Sequence, residues 1–338
     1  MENLLDELLG EIIKRLTKTS DLSSLSLVSK HLYIVEAEQR NDIRVGCGLF
    51  PVTSALALLC SRFPNLCKVE FNYSSWEPNH GVQMDNKGLH VLSSCCPSLT
   101  DLTLSLCSYI DDSGLCLLKD FKKLMSLRFT TLPEITSSGL SSVAVGCKSL
   151  SALYLIDCKK LGRADWLEYL GRVGSLKELV VKYCKGISQY DFLKVGPGWM
   201  KLQKFVFQIK GCHNKIETRD PSYVEHYQYR YDFCCDNLKD LTAARIITEP
   251  EKGLGCLLTK CKALENLCLY YVLGLHDNDI ITLSHNCINL RSISLRLEPL
   301  YNEGPEGIDF STPLTDDSLR ALALRCPMLQ SVELTFLA

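Results

Sequence analysis

The chain has 338 residues, 46% of them hydrophobic and 22% charged, with a formal net charge of -2. So small a net charge excludes nucleic-acid binding by general electrostatics, and no apolar run approaches the ~20 residues of a membrane-spanning helix. The eighteen cysteines would suit a secreted disulfide scaffold, but Met1 opens an acidic, amphipathic segment lacking the apolar block and small-residue cleavage site of a signal peptide. The cysteines are therefore expected to be reduced, in the cytoplasm or the nucleus.

In chain order, the first forty-five residues come first and stand apart. Leu4, Leu5, Leu8, Leu9, Ile12, Ile13 and Leu16 lie at helical spacing and cover about half the circumference, whereas a one-sided surface helix needs only about 100°. Ser20 and Asp21 form an N-cap pair before Leu22, Leu25, Leu27, Val28, Leu32 and Val35, a second helical pattern. Residues 1–45 are predicted to be a small helical module with more apolar surface than its own core uses. That surplus points to a protein partner.

From residue 46 a period takes over. Leu99, Leu124, Leu150, Leu176 and Leu202 stand 25, 26, 26 and 26 positions apart, and Leu238, Leu264 and Leu290 follow at 26-residue steps. The same frame fits Leu66 and Leu329, which makes ten strand registers. After Leu99, the buried-type Leu102 and Leu104 alternate with Asp101, Thr103 and Ser105, which is strand periodicity. Asp111, Asp112 and Ser113 then offer N-cap oxygens, and Leu115, Leu117 and Leu118 begin a helical face. One strand–turn–helix unit cannot bury both faces, so neighbours must stack. Cys96, Cys147, Cys235, Cys261, Cys287 and Cys326 recur three residues before an anchor leucine, and Cys107, Cys158 and Cys184 eight after one. Recurring slots for a small buried thiol are packing positions. The pattern resembles cysteine-containing leucine-rich repeats, whose period lies in the range of about 20–29 residues. The predicted fold class is α/β: a helical module over 1–45, then a leucine-rich-repeat solenoid over 46–338 with a curved parallel sheet inside and helices outside.

Three steps are longer, with insertions near 72–84, 208–234 and 298–313. Each falls after a strand and before a helix, which puts all three on one rim, where recognition tends to sit. In the middle insertion Tyr227, Tyr229, Tyr231 and Phe233 alternate with polar residues, as in a short extended segment with one aromatic face. Positions two, four and six after each anchor should face the concave side, with the seventh near the rim. They include Arg128, Tyr154, Lys182, Tyr183, Arg245, Tyr270, Tyr271 and Arg296, rich in the aromatic and arginine side chains that carry interface energy. These are the candidate substrate-binding residues. The strand at Leu329 to Leu334 has no following helix, so its edge is open unless something covers it.

The opening module also carries a family resemblance. Leu4-Leu5-Asp6-Glu7-Leu8-Leu9-Gly10-Glu11-Ile12-Ile13-Lys14-Arg15-Leu16, then Asp21-Leu22-Ser23-Ser24-Leu25-Ser26-Leu27-Val28-Ser29-Lys30, resembles the F-box over about residues 3–44. The family usually has proline where Leu5 stands. Joined to the repeats, the chain resembles plant-like F-box/leucine-rich-repeat proteins, the substrate receptors of Skp–cullin–F-box ubiquitin ligases. The resemblance implies that Leu4, Leu8, Leu9, Ile12, Ile13, Leu25, Leu27 and Val28 contact a Skp-type adaptor, shared with the module's own core. The adaptor would link the chain to a cullin complex, and the concave face and rim loops would hold a protein substrate.

Catalytic and metal patterns are absent: there is no phosphate-binding loop, no H-E-x-x-H, no G-x-S-x-G and no C-x-x-C. Cys212, His213, His226, Cys234 and Cys235 gather in or beside the middle insertion, but without a usual zinc-finger spacing. The chain is thus expected to be no enzyme and to carry neither metal nor cofactor, and to bind neither nucleic acid nor membrane. Two alternatives stay open. One is a hormone-type F-box receptor in which an inositol phosphate supports a small-molecule pocket. The other is a leucine-rich scaffold, unrelated to ubiquitin, whose N-terminal helices only cap the solenoid.

Overall fold

A computed structural model describes residues 6–16, 18–46, 52–75, 82–162, 165–187, 199–208, 235–245, 258–272, 275–297 and 314–336. They belong to two compact units, Met1–Ser149 and Leu150–Ala338. Most of the three insertions lies outside the described residues.

The first unit opens with helices α1 (Asp6–Lys14), α2 (Thr19–Ser26) and α3 (Lys30–Gln39). It continues with β1 (Asp42–Val45), α4 (Val52–Arg62), β2 (Lys68–Asn72), α5 (Asn86–Cys95) and β3 (Asp101–Ser105). Next come α6 (Asp112–Cys116) with a 3-10 turn at Leu117–Asp120, β4 (Ser126–Thr130) and α7 (Ser137–Gly146). Strands β1 to β4 pair in parallel in chain order. In the second unit β5 (Ala152–Ile156) leads to α8 (Asp165–Val173), then β6 (Glu178–Lys182), β7 (Lys204–Gln208), β8 (Asp240–Ala244) and β9 (Asn266–Tyr270). Helix α9 (Asp277–Asn286), β10 (Ser292–Leu297), α10 (Asp316–Arg325) and β11 (Ser331–Phe336) complete it. These strands too are parallel and in chain order. This is the α/β leucine-rich-repeat arrangement that the period predicted.

The core is a set of stacked rows. The anchors Leu99, Leu124, Leu150, Leu176, Leu202, Leu238, Leu264 and Leu290 are buried, as are the apolar residues three and five positions later. Each fully buried leucine contributes ~1.5–3 kcal/mol from leaving water, so neighbouring repeats stabilise one another. The cysteine slots serve the same packing: the nine recurring cysteines are buried, and every described cysteine is a free thiol. Burial pushes the thiols of Cys107, Cys147, Cys261 and Cys287 up to about 12, which makes them poor nucleophiles.

Consecutive helices are tied by their caps. Asp111 accepts the amides of Ser113 and Gly114 at the start of α6, and Asn86 in the first turn of α5 donates to the same carboxylate at 2.8 Å. Asp112 in the first turn of α6 accepts the amide of Thr136, the cap of α7, at 2.7 Å. In the second unit Asp277 accepts the amide and hydroxyl of Thr315, the cap of α10, at 2.9 and 2.7 Å. A side chain at Gly114 or Gly139 would strike Asn86 or Asp112, so glycine is what lets one helix start so close to the next.

Six strands, β3 to β6, β8 and β9, end in a sharp corner. Leu106, Thr131, Asp157, Tyr183, Arg245 and Tyr271, each seven residues after its anchor, all have φ between 52° and 59°. The left-handed conformation costs a non-glycine residue ~1–2 kcal/mol. A hydrogen bond offsets part of it: Tyr183 donates its amide to Gln208, Arg245 to Tyr270 and Tyr271 to Arg296, each at 2.8 Å.

Two features of the amino-terminal region differ from the sequence reading. The array begins one repeat earlier, with β1 inside the segment read as helical. Ile43 and Val45 are buried in register with Val69 and Phe71, and the anchor slot 26 residues before Leu66 is held by Arg40. Arg40 is buried because the fully buried Glu36 pairs with it at 2.5 Å and because it lies over the Phe63 ring. Glu36 also pairs with Arg62 of α4 at 3.1 Å, and Arg62 stacks between Tyr33 and Phe63. Secondly, the single helical pattern after Ser20 is two helices. Helix α2 starts after Lys18 with no side-chain cap, and Ser29 caps α3 by accepting the amide of Leu32 at 3.1 Å. The break leaves Leu27 and Val28 in the bend between them.

Candidate functional site

Two faces carry the candidate residues. The first is on the three N-terminal helices. Their core consists of Leu9, Ile13, Leu32 and Val35, with Leu22 and Leu25 partly buried against it. The eight adaptor candidates therefore divide. Leu9, Ile13 and Leu25 pack inward, while Leu8 (54% exposed), Ile12 (52%), Leu27 (87%) and Val28 (63%) point to solvent. Leu4 lies outside the described residues. Leu8 and Ile12 are one turn apart, so they share a helix face. Tyr33 and Ile34 of α3 are exposed as well. The sequence reading did not include them because its helical pattern there ran through Leu32 and Val35. His31 closes α3 on α1 with a 2.6 Å contact to Asp6, and the Glu36 ion pairs hold α3 against α4.

The second face is the side of the sheet away from the leucine core. Arg128 is exposed on β4 of the first unit, in register with Thr103. The other seven candidates belong to the second unit. Register pairing sets Ile156, Lys182, Gln208, Ala244, Tyr270 and Arg296 side by side across β5 to β10. Tyr183, Arg245 and Tyr271 are corner residues one position further on. The structure thus brings Arg245, Tyr270, Tyr271 and Arg296 together: Arg245 lies 5.9 Å from the Tyr271 ring centroid and Arg296 lies 5.1 Å from that of Tyr270. Such cation–aromatic pairs hold long side chains in place. Tyr154 instead donates its hydroxyl to Glu178 on the neighbouring strand.

Glu333 of β11 is the other residue the sequence reading passed over, although its place four after Leu329 was legible. Its carboxylate accepts from Ser294 at 2.6 Å and from Arg296 at 3.0 Å. Those two donors hold its carboxyl below the ordinary value, and Glu333 in turn raises Arg296 above its own. Burial, the first of several influences, raises the Tyr270 phenol. Two further fourth positions, Val180 and Val206, were expected to face outward, yet they are only 5% and 7% exposed. The fourth positions of β6 and β7 are therefore apolar and sheltered.

No group of three His, Cys, Asp or Glu side chains among the described residues could hold a metal ion. Of the zinc candidates, Cys235 is buried in its repeat slot, and Cys212, His213, His226 and Cys234 lie outside the described residues. No described helix is long and apolar enough to cross a membrane. No family model matches the chain. Among solved structures it is similar to a chain in the crystal structure of the Rad7 and Elc1 complex in yeast, with 16% identity and a TM-score of 0.46, over 97% of this chain and 81% of that one.

Proposed function

We propose that this chain is the substrate-receptor subunit of a Skp–cullin–F-box type ubiquitin ligase. The observation that carries the reading is the division of the N-terminal apolar residues. A three-helix module with its own core has no internal use for Leu8, Ile12, Leu27 and Val28, and four exposed large apolar side chains on so small a module mark an interaction face. Their sequence frame resembles the F-box, so the partner is a Skp-type adaptor, which brings the cullin and the transferring enzymes. The chain itself catalyses nothing. It holds the protein to be modified on the sheet face of its repeats. The reading requires no cofactor: Lys182, Arg245 and Arg296 stand on alternate strands, whereas an inositol polyphosphate needs clustered cations.

Co-expression of the tagged full chain with a Skp-type adaptor and a cullin tests this. The wild type is expected to co-purify both. Leu27→Asp with Val28→Asp, both in the exposed bend, should abolish capture without lowering the melting temperature. Failure of the wild type to retain the adaptor, or retention unchanged by the double variant, would overturn the reading and favour a plain interaction scaffold.

A further inference from the structure

We infer that Cys60 and Cys96, both in the first unit, are a redox pair, and that a hydroperoxide joins them in a disulfide tying α4 to α5. The inference stands apart from the ligase reading. It comes from a break in the repeat's own pattern. The cysteine three residues before an anchor reaches back to the preceding repeat, to the helix position six residues before that repeat's anchor. Cys147 donates to the Leu118 carbonyl at 3.4 Å, and Cys287 lies 3.8 Å from that of Leu258. Cys96 fills the same slot before Leu99, and six residues before the preceding anchor, Leu66, stands Cys60. Of the ten anchors, only Leu66 has a cysteine at that position. Stacking that elsewhere sets a thiol against a leucine here sets a thiol against a thiol.

The two side chains meet: α4 packs on α5, and the thiols are hydrogen-bonded to each other. Both are buried and both are free. Cys60 is the donor. Its bond to Cys96 first, and burial second, raise the Cys60 thiol. The same bond lowers Cys96, against the pull of burial. Cys96 is therefore the more readily ionised of the two, and the thiolate is the reactive form. It also stands where a small oxidant can reach it. Cys96 caps the carboxyl-terminal end of α5, directly after the exposed Cys95, and terminal helical turns fray.

The chemistry takes two steps. The Cys96 thiolate attacks the terminal oxygen of the hydroperoxide, the O–O bond breaks, and Cys96 becomes a sulfenic acid as hydroxide or alkoxide leaves. The Cys60 sulfur then attacks the Cys96 sulfur. The S–S bond forms, the S–O bond breaks, and the oxygen departs as water with the Cys60 proton. Two thiols have lost two electrons and the hydroperoxide has gained them. The new bond closes a loop that carries β2, the first rim insertion and α5. Arg62, two residues after Cys60, already pairs with Glu36 of α3. Oxidation thus extends one tie from α3 through α4 to α5, and fastens the opening helices to the second helix of the array. Disulfides of this kind in reducing compartments are transient and redox-sensing.

Peptide mapping by mass spectrometry tests the proposal. The reduced full chain is treated with hydrogen peroxide, remaining thiols are alkylated, and the chain is digested without reductant. Fragment spectra should link Cys60 to Cys96, and dithiothreitol should release the link. Oxidation should raise the melting temperature of the first unit by about 5 °C, since the cross-link restricts the unfolded chain. Hydrogen exchange should slow in α4 and α5. Cys60→Ala and Cys96→Ala should each abolish the link and the shift, whereas Cys95→Ser should keep both. The wild-type map decides the matter even where an alanine variant folds poorly. Cys60 recovered as alkylated thiol would overturn the proposal. So would a Cys95–Cys96 link, or a link between Cys158 and Cys184, the other hydrogen-bonded thiol pair, formed in its place. A melting shift that persists in Cys60→Ala would do the same.

Discussion

The two units use one backbone plan and dress it differently. On the strands of the first unit the outward fourth positions are Arg44, Glu70, Thr103 and Arg128; on the second they are Tyr154, Val180, Val206, Thr242, Cys268, Ser294 and Glu333. The first set is polar throughout, and Arg44 and Glu70 satisfy each other across β1 and β2 at 3.1 Å. The second has an apolar centre with aromatic and basic residues at the strand ends. Inside, both units carry the same leucine rows. The contrast teaches that the inward residues set where the backbone goes, and that the outward residues, released from that duty, record what each unit meets. The first unit places its apolar surplus on helices α1 to α3, and the second places it on the sheet.

The largest effect expected to sharpen this contrast is at the joint between the helices and the first repeat. Glu36→Ala leaves Arg40 buried without its counter-charge and should destabilise the first unit by ~3–5 kcal/mol. Hydrogen exchange should show lost protection in α3, β1 and α4, with β9 and β10 unaffected. Equal loss in both units would break the comparison. Next, Leu104→Ala and Leu269→Ala remove equivalent, fully buried side chains from the first and second unit. Each should cost ~2–5 kcal/mol in urea denaturation, with protection lost mainly in the unit changed.

Smaller effects come from the caps. Asp111→Ala should cost ~1 kcal/mol through its lost capping bonds. Acid should act on the same group. The Ser113 hydroxyl, the Asn86 amide and the backbone amides of the first turn hold the Asp111 carboxyl below its ordinary value of 3.8. For Asp277, burial pushes the other way, but the bonds from Ser318 and Thr315 outweigh it. Both groups therefore stabilise the fold above pH 3.8, and that contribution is lost as pH falls through their lower folded-state values. Thermal melts from pH 5 to pH 2 should show a shallower acid decline in Asp111→Asn than in wild type. The smallest stability effect is that of Leu27→Ser, within ~0.5 kcal/mol, since its side chain is exposed.

Much of the solenoid was legible because apolar residues, mostly leucine, hold the inward slots and six of the nine steps between Leu66 and Leu329 keep the 25- to 26-residue period. The first strand was not, because its anchor slot contains Arg40. An arginine there reads as surface until Glu36, one helical turn before it, is seen to neutralise it. The break at Ser29 was hidden for a different reason: Leu27 and Val28 continue the helical spacing that the chain abandons. The division of the adaptor candidates into core and exposed residues needed the third helix, since only its Leu32 and Val35 decide which side of α1 is covered. Tyr270 and Arg296 could be placed on one face by counting from their anchors. That they stack on each other, and that Glu333 shares the arginine, depends on register between strands that are 26 and 39 residues apart.

The positive-φ corners have a consequence for change over time. Leu106, Thr131, Asp157, Tyr183, Arg245 and Tyr271 differ in size, charge and polarity, yet they hold one backbone shape, with φ values within a few degrees of each other. The shape is imposed by the strand before and, at the corners of β3, β5, β6, β8 and β9, by the amide's hydrogen bond to the strand beside, and not by the residue that occupies it. A corner is therefore a socket: its occupant can be exchanged by a single codon change while the backbone stays in place. New surface chemistry can be tried there without refolding the scaffold, and an engineer could re-specify that edge by rewriting six positions.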